Sequence, residues 1–267
     1  MKLFGIIGNP VEHSLSPVMQ NEAFKYLNID ACYLKFKVEE AKLRYAILGA
    51  ESLGFSGLNV TVPHKEKALK YVEPDELAGE VGAVNTIYFK KGVKGFNTDA
   101  MGAKMALEGV TDIKGKRILI FGAGGAAKAI SYGLSRYSDT DILIANRTFS
   151  EGLKLANKIG GEAIRLGDIF REIKSVDILI NATTVGLNED RSLIYSKNLH
   201  KDMVVFDIVY SPLKTCLLKE AEKAGAKTID GLKMLVYQGA ASFEIWTGVK
   251  APVKVMERAV RHAVERG

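Results

Sequence analysis

The sequence predicts an α/β protein of two lobes: an N-terminal α/β domain, then a doubly wound parallel sheet, with C-terminal helices returning to the first lobe. Three observations carry this. The chain has 267 residues, about 1.8 times the roughly 150 residues of one domain. Its middle alternates short, uninterrupted apolar runs with helical stretches, the pattern of βαβ units whose strands are buried on both faces. A glycine-rich turn, Gly122-Ala123-Gly124-Gly125-Ala126-Ala127, directly follows the first of those runs.

Taken in order, residues 3–8, 31–38, 57–63 and 83–89 are strand candidates, and 17–27, 39–53 and 65–71 are helical. They form a first domain over residues 1–100. In the second domain, 101–236, strands are expected at 116–121, 141–146, 163–166, 176–181, 203–208 and 227–229. Helices are expected from 128 to about 137 and from about 150 to 159. Right-handed crossovers then make the sheet parallel. Two last helices, about 236–247 and 252–265, are too small to fold alone. Residues 237–267 are expected to dock on the first domain, placing an active cleft between the lobes.

Hydrophobic residues make up 47% and charged residues 25%, ordinary globular values that exclude disorder, collagen and coiled coil for the whole chain. The net charge is 37 − 31 = +6, but the lysines are scattered and no block of like charge forms a nucleic-acid tail. Cys32 and Cys216 lie far apart, with neither CxxC nor metal-ligand spacing, and His13, His64, His200 and His262 offer none either. Free thiols fit a reducing compartment. The segment Met1–Ile7 is too short for a signal core, and no apolar run approaches the ~20 residues of a membrane helix. The expectation is a cytoplasmic protein with no metal, no nucleic acid and no membrane partner; its oligomeric state, a homodimer included, stays open.

Gly122-x-Gly124-x-x-Ala127 is a GxGxxG/A fingerprint between a strand and a helix, where the Rossmann dinucleotide site needs it. Gly122 permits the tight turn, Gly124 lets backbone approach a pyrophosphate, and Ala127 allows close helix–strand packing. An NAD enzyme needs an acid at the end of the second strand to accept from the ribose 2′-OH. Here stands Asn146-Arg147-Thr148. A guanidinium pairs with a 2′-phosphate and stacks on adenine, so the residues favour NADP. Glu151, nearby, would repel that phosphate if it faced it, with Lys154 one turn on.

Several motifs in one order carry a resemblance. Ser14-Leu15-Ser16-Pro17, Asn59-Val60-Thr61-Val62-Pro63-His64-Lys65, Gly82-Ala83-Val84-Asn85-Thr86 and Gly95-Phe96-Asn97-Thr98-Asp99 lie in the first domain. The glycine turn, Asn146-Arg147-Thr148, Asn181-Ala182-Thr183, Asp207-Ile208-Val209-Tyr210, Asp230-Gly231-Leu232 and Gln238-Gly239 follow. Over essentially the whole chain this resembles the shikimate dehydrogenase family. The resemblance implies NADPH-dependent reduction of 3-dehydroshikimate to shikimate, in aromatic amino-acid biosynthesis. It implies that Ser14 and Ser16 hold the substrate carboxylate. Thr61, Lys65, Asn85, Asp99 and Gln238 would contact the ring hydroxyls and the reacting oxygen, with Tyr210 reaching in from the cofactor lobe. Lys65 and Asp99 would be the catalytic pair. Gly122, Ala123, Gly124, Gly125, Ala126, Asn146, Arg147, Thr148, Thr183 and Gly231 would hold the cofactor. Leu187 stands where relatives usually carry Met, and Thr184 where they carry Pro or Ser.

The chemistry agrees. A small polyhydroxy acid needs short hydroxyl and amide side chains. A lysine can stabilise the carbonyl oxygen as hydride arrives and supply its proton, and a carboxylate would fix the lysine head. Structural readings compete: Ser16 before Pro17 as a helix N-cap, Lys65 as a surface helix start, Asp99 as the cap of a helix starting near residue 100, and His64 as a structural histidine. Competing functions are a quinate/shikimate dehydrogenase with relaxed cofactor use, a two-lobed methylene-tetrahydrofolate dehydrogenase, and a non-catalytic NADP-binding sensor.

Overall fold

Phe4, Ile6 and Ile7 are buried in a strand with a parallel neighbour on each side, so both its hydrogen-bonding edges are paired. This is the computed structural model of the chain, which describes residues 1–187 and 189–266. The chain divides into two units, Met1–Gly102 with Leu235–Gly267, and Ala103–Met234. The first unit runs β1 (Lys2–Gly8), α1 (Ser16–Tyr26), β2 (Ala31–Lys37), α2 (Leu43–Ser52), β3 (Gly57–Val60), α3 (Lys65–Ala68), β4 (Glu73–Pro74), α4 (Glu76–Val81), β5 (Thr86–Phe89), β6 (Val93–Phe96) and the start of α5 (Thr98–Glu108). Its sheet has the order β2-β1-β3-β5-β6-β4. The β3–β5–β6 pairings are antiparallel and the others parallel. At the β2 edge the Asn21 side chain bonds both the N–H and the carbonyl of Tyr33, at 2.9 Å each, which blunts an open strand.

The second unit runs β7 (Arg117–Phe121), α6 (Gly125–Ser135), β8 (Asp141–Ala145), α7 (Phe149–Ile159), β9 (Glu162–Ile164), α8 (Ile169–Glu172), β10 (Ile178–Asn181), β11 (Val204–Asp207), α9 (Cys216–Lys223) and β12 (Lys227–Ile229). Ile118, Leu119, Ile120, Ile178, Leu179 and Ile180 are all 0% exposed, so successive residues are buried on opposite faces, as unbroken apolar runs require. The sheet is parallel throughout, in the order β12-β11-β10-β7-β8-β9. The order reverses beside β7, which puts the switch point at the glycine turn.

The chain then returns through α10 (Gly231–Thr247) and α11 (Val253–Arg266). Apolar burial explains why. Phe243 and Trp246 of α10 join Phe4, Phe24 and Tyr33 in one aromatic cluster, with centroid separations of 5.0 to 6.1 Å. The Trp246 indole N–H donates to the Ile87 carbonyl at 2.9 Å. Helix α11 buries Met256 and Val260 and packs on α1. Among the described residues, no helix is long and apolar enough to cross a membrane.

Several boundaries differ from expectation. The strand expected over 57–63 stops at Val60; Pro63 lacks the N–H a ladder needs. The strand expected from 83 begins at Thr86 and continues through Lys90, Lys91 and Gly92 into an unexpected hairpin partner, β6. Lys91 and Gly92 make the turn with φ of 55 and 104°. Two-residue β4 and six-residue α4 were also not expected; neither is long enough to show a period. The glycine-turn helix starts at Gly125, ahead of 128. Helix α10 starts at Gly231, ahead of 236, because Asp230 accepts from the Lys233 N–H at 3.2 Å and caps it.

Glu220 on α9 gives a pH test. The Lys223 ammonium donates to it at 2.6 Å and the Ser196 N–H at 2.9 Å. First the Lys223 bond and then the Ser196 bonds pull its carboxyl down from the ordinary 4.5 to about 2. A depressed folded-state acid stabilises above its unfolded pKa and loses that contribution as pH falls. Urea midpoints of wild type and Glu220→Gln should therefore differ most at neutral pH and converge as pH drops from 4.5 toward about 2. A gap that stays constant over that range would remove the role.

Candidate active site

The first unit gathers a polar cluster from four parts of its chain. Lys65, first residue of α3, and Asp99, in the first turn of α5, form an ion pair at 2.7 Å, with side chains 22% and 8% exposed. The other Asp99 oxygen accepts from Asn85 Nδ2 at 2.9 Å. Asn85 Nδ2 also reaches Thr98 Oγ1 at 3.0 Å and, by a long 3.4 Å contact, Gln238 Oε1 of α10. Its oxygen accepts from the Thr98 N–H at 2.8 Å. Lys65, Asn85, Asp99 and Gln238 are thus brought together.

Beneath them lies a second tier. Buried Asn59 donates through Nδ2 to the Asn85 carbonyl, Thr86 Oγ1 and Ser242 Oγ at 3.0 to 3.1 Å, and accepts from the Tyr33 hydroxyl at 2.7 Å. Burial holds the Tyr33 phenol well above its usual range, against a hydrogen bond from Ser16. Ser16 is itself buried, and its N–H donates to Ser14 Oγ at 3.3 Å. Thr61 follows β3, half-buried, with its N–H on the Ile7 carbonyl.

The capping readings fail. Ser16 is inside α1, and the N-cap is Leu15 without a side-chain bond. Asp99 lies within the first turn of α5, which starts at Thr98. His64 is fully buried with Nε2 at 2.7 Å from the Val38 carbonyl. Sequence reasoning passed over Tyr33 and Ser242. Asn59, Thr86 and Thr98 lay inside quoted motifs, whereas nothing around Ser242 marks a polar residue on an apolar helix.

In the second unit, Gly122 has φ of 111° and a Cβ there would stand 2.9 Å from the Ala182 carbonyl oxygen; both facts demand glycine. Gly124 and Gly125 differ: a Cβ on either would meet nothing of the protein within 4 Å. Their openness lies at the start of α6, whose N-cap Gly124 offers no side-chain bond. Helix N–H groups facing open space form a cradle for phosphates, so the residues fit a dinucleotide. Ala123 and Ala126 flank the same turn, and Ala127 is fully buried. At Gly231 a Cβ would run into the Ile208 backbone, which gives that glycine a packing reason of its own.

Asn146 Nδ2 closes the turn after β8 on the Thr148 carbonyl at 2.9 Å. Arg147 and Thr148 are exposed, and among the described residues no acid pairs with Arg147. Glu151 is held by Lys154 at 2.7 Å; that bond, then the Lys154 charge, lowers its carboxyl, and Lys128 adds to this. The Thr183 hydroxyl donates to Asn181 Oδ1 at 2.7 Å and accepts from the Val185 N–H at 3.1 Å. Buried Asp207 accepts from Asn181, Thr215 and the Val209 N–H at 2.7 to 3.0 Å. Burial still pushes its carboxyl up. Those bonds pin the segment ending in Tyr210, whose phenol burial also raises.

Comparison with known proteins bears on this arrangement. Residues 6–87 match a family model described as shikimate dehydrogenase substrate binding domain. Residues 103–235 match shikimate / quinate 5-dehydrogenase, and 231–261 the shikimate 5′-dehydrogenase C-terminal domain. A shikimate dehydrogenase (NADP(+)) of Methanococcoides burtonii is 50% identical over 268 residues, covering 99% of each chain. The solved shikimate dehydrogenase of Aquifex aeolicus superposes with a TM-score of 0.92 at 40% identity, covering 98% of each chain. That of Thermus thermophilus, in complex with NADP(H) and shikimate, gives 0.91 at 34%, covering 98% of this chain and 100% of that one. With likeness in sequence and in fold running from one end of the chain to the other, the protein belongs to the shikimate dehydrogenase family.

Proposed function

We propose that the chain is an NADP-dependent shikimate dehydrogenase, catalysing the reversible reduction of 3-dehydroshikimate to shikimate in the route to aromatic amino acids. The observation that carries this is the Lys65–Asp99–Asn85 relay, at 2.7 and 2.9 Å, in a chain with a full-length relative of that activity. A sensor that only binds cofactor has no use for a partly buried lysine on an oriented carboxylate.

Reduction adds a hydride to the carbonyl carbon and a proton to its oxygen. NADPH, when bound, supplies the hydride. Lys65 is assigned the proton: its ammonium faces the oxygen as charge develops there and hands over a proton to make the hydroxyl. Asp99 accepts from the lysine and fixes its direction. Asn85 holds Asp99 from behind, and its long contact with Gln238 is the one a ring hydroxyl would replace. Thr61 completes the hydroxyl contacts. Ser14 and Ser16 stand at the N-terminus of α1, where hydroxyl donors and the positive end of the helix dipole favour the substrate carboxylate. Tyr210, protonated at neutral pH, remains a candidate donor from the second unit.

For the cofactor, the Gly122-to-Ala126 turn would hold the pyrophosphate. Asn146, Arg147 and Thr148 would hold the adenosine end, and Thr183 and Gly231 would line the remainder. The Lys154 pairing supports this reading, because it offsets the Glu151 charge that would otherwise repel a 2′-phosphate.

Lys65→Ala should lower kcat by about 10²–10⁴, the usual size of a general acid–base contribution, with NADPH affinity near the parent value by fluorescence titration. Asp99→Asn should also slow turnover, and the double variant should be little worse than Lys65→Ala, because residues acting as a unit are not additive. Near-parental turnover in Lys65→Ala overturns the assignment. Arg147→Ala should raise KM for NADP about ten- to a hundredfold, the worth of a charged hydrogen bond, and leave KM for NAD nearly unchanged; equal losses would show that Arg147 does not read the phosphate. Ser14→Ala should raise KM for shikimate with a smaller effect at saturation, and an unchanged KM would relocate the carboxylate.

A further inference from the structure

A second cation, Arg165, follows β9, the strand next to β8, at a position that no sequence motif marked. Strands β8 and β9 are parallel, and Ala145 is paired with Ile164. The residues that follow, Asn146 and Arg165, therefore leave side by side at the carboxyl end of the two strands. The Arg165 guanidinium lies over the Phe149 ring, 4.5 Å from its centroid. Phe149 opens α7, two residues after Arg147. Arg165 is exposed, and among the described residues no acid pairs with it. The nearby acid, Glu151, already carries Lys154 at 2.7 Å.

We infer that Arg165 is a second reader of the cofactor 2′-phosphate, set on the Phe149 ring to face the same group as Arg147. This rests on the NADP reading proposed above and deepens it. A phosphate monoester carries about −1.5 to −2 charges at neutral pH, more than one guanidinium offsets. Stacking matters because a free arginine must lose rotamer freedom on binding, whereas one already laid on an aromatic face has lost part of it. The site thus takes one cation from the β8 turn and one from the end of β9.

Calorimetric titration of the full chain with 2′,5′-ADP and with 5′-AMP tests this on wild type, Arg165→Ala, Arg165→Lys and Arg147→Ala. The two ligands share adenosine and the 5′-phosphate and differ by the 2′-phosphate alone. Arg165→Ala should weaken 2′,5′-ADP roughly five- to tenfold, between an exposed charge pair and a charge-assisted hydrogen bond, and change 5′-AMP by less than about twofold. Arg165→Lys, which keeps the charge without the flat stacking surface, should fall between. In turnover, Arg165→Ala should raise KM for NADP and leave kcat alone.

If Arg165→Ala leaves 2′,5′-ADP binding unchanged while Arg147→Ala weakens it, the phosphate site stands and Arg165 is only a cover for Phe149. If Arg165→Ala weakens both ligands alike, it supports the start of α7 and not phosphate recognition. If neither arginine variant discriminates between the ligands, the NADP reading itself fails.

Discussion

A buried amide is costly unless every one of its hydrogen-bonding positions is met, and Asn59 on β3 meets them with groups from three other segments. Its nitrogen serves the Asn85 carbonyl, Thr86 and Ser242, and its oxygen takes the Tyr33 hydroxyl. That arrangement exists only when β2, β3, β5 and α10 are all in place. The Lys65–Asp99 pair stands on top of it, since Asn85 is fixed through its carbonyl by Asn59 and through its side chain to Asp99. Lys65 is therefore aimed by a chain of bonds that begins deep in the first unit. Fully satisfied networks of this kind rigidify what they hold, which a site needs when one proton must be placed on one oxygen.

The same network explains why the polypeptide comes back after β12. Aromatic burial by Phe243 and Trp246 supplies attraction for α10, while Ser242 and Gln238 supply its register. An apolar face alone tolerates sliding; a hydroxyl that must meet Asn59 and an amide that must meet Asn85 do not.

Much of this was legible in the residues. The second sheet was readable because Ile118–Ile120 and Ile178–Ile180 are uninterrupted apolar runs and because glycine turns announce helix starts. Less was legible in the first unit. Strand β6 is Val-Lys-Gly-Phe, whose composition suggests a loop, and it becomes a strand only through its pairing with β5. Lys65 and Asp99 could be named from motifs, but motifs did not show that Asn85 has both amide hydrogens engaged. Ser242 was beyond reach, because a serine on a helix acquires meaning from a partner 183 positions away. Ser16 and Asp99 misled for a local reason: both precede or open helices, and capping preference describes the type of residue there without saying which one takes the cap.

The glycine turn holds two kinds of glycine, and they answer to different masters. Gly122 is required by the polypeptide, through its φ and the Ala182 carbonyl, whereas nothing of the protein stands near the missing side chains of Gly124 and Gly125. A methyl group at Gly122 would be seen by the folding machinery and cleared early. One at Gly124 would pass that inspection and give an abundant, well-behaved protein with an obstructed cradle. Selection for stability and selection for activity thus act on neighbouring codons, and a screen by yield or heat resistance would be blind to half of the turn.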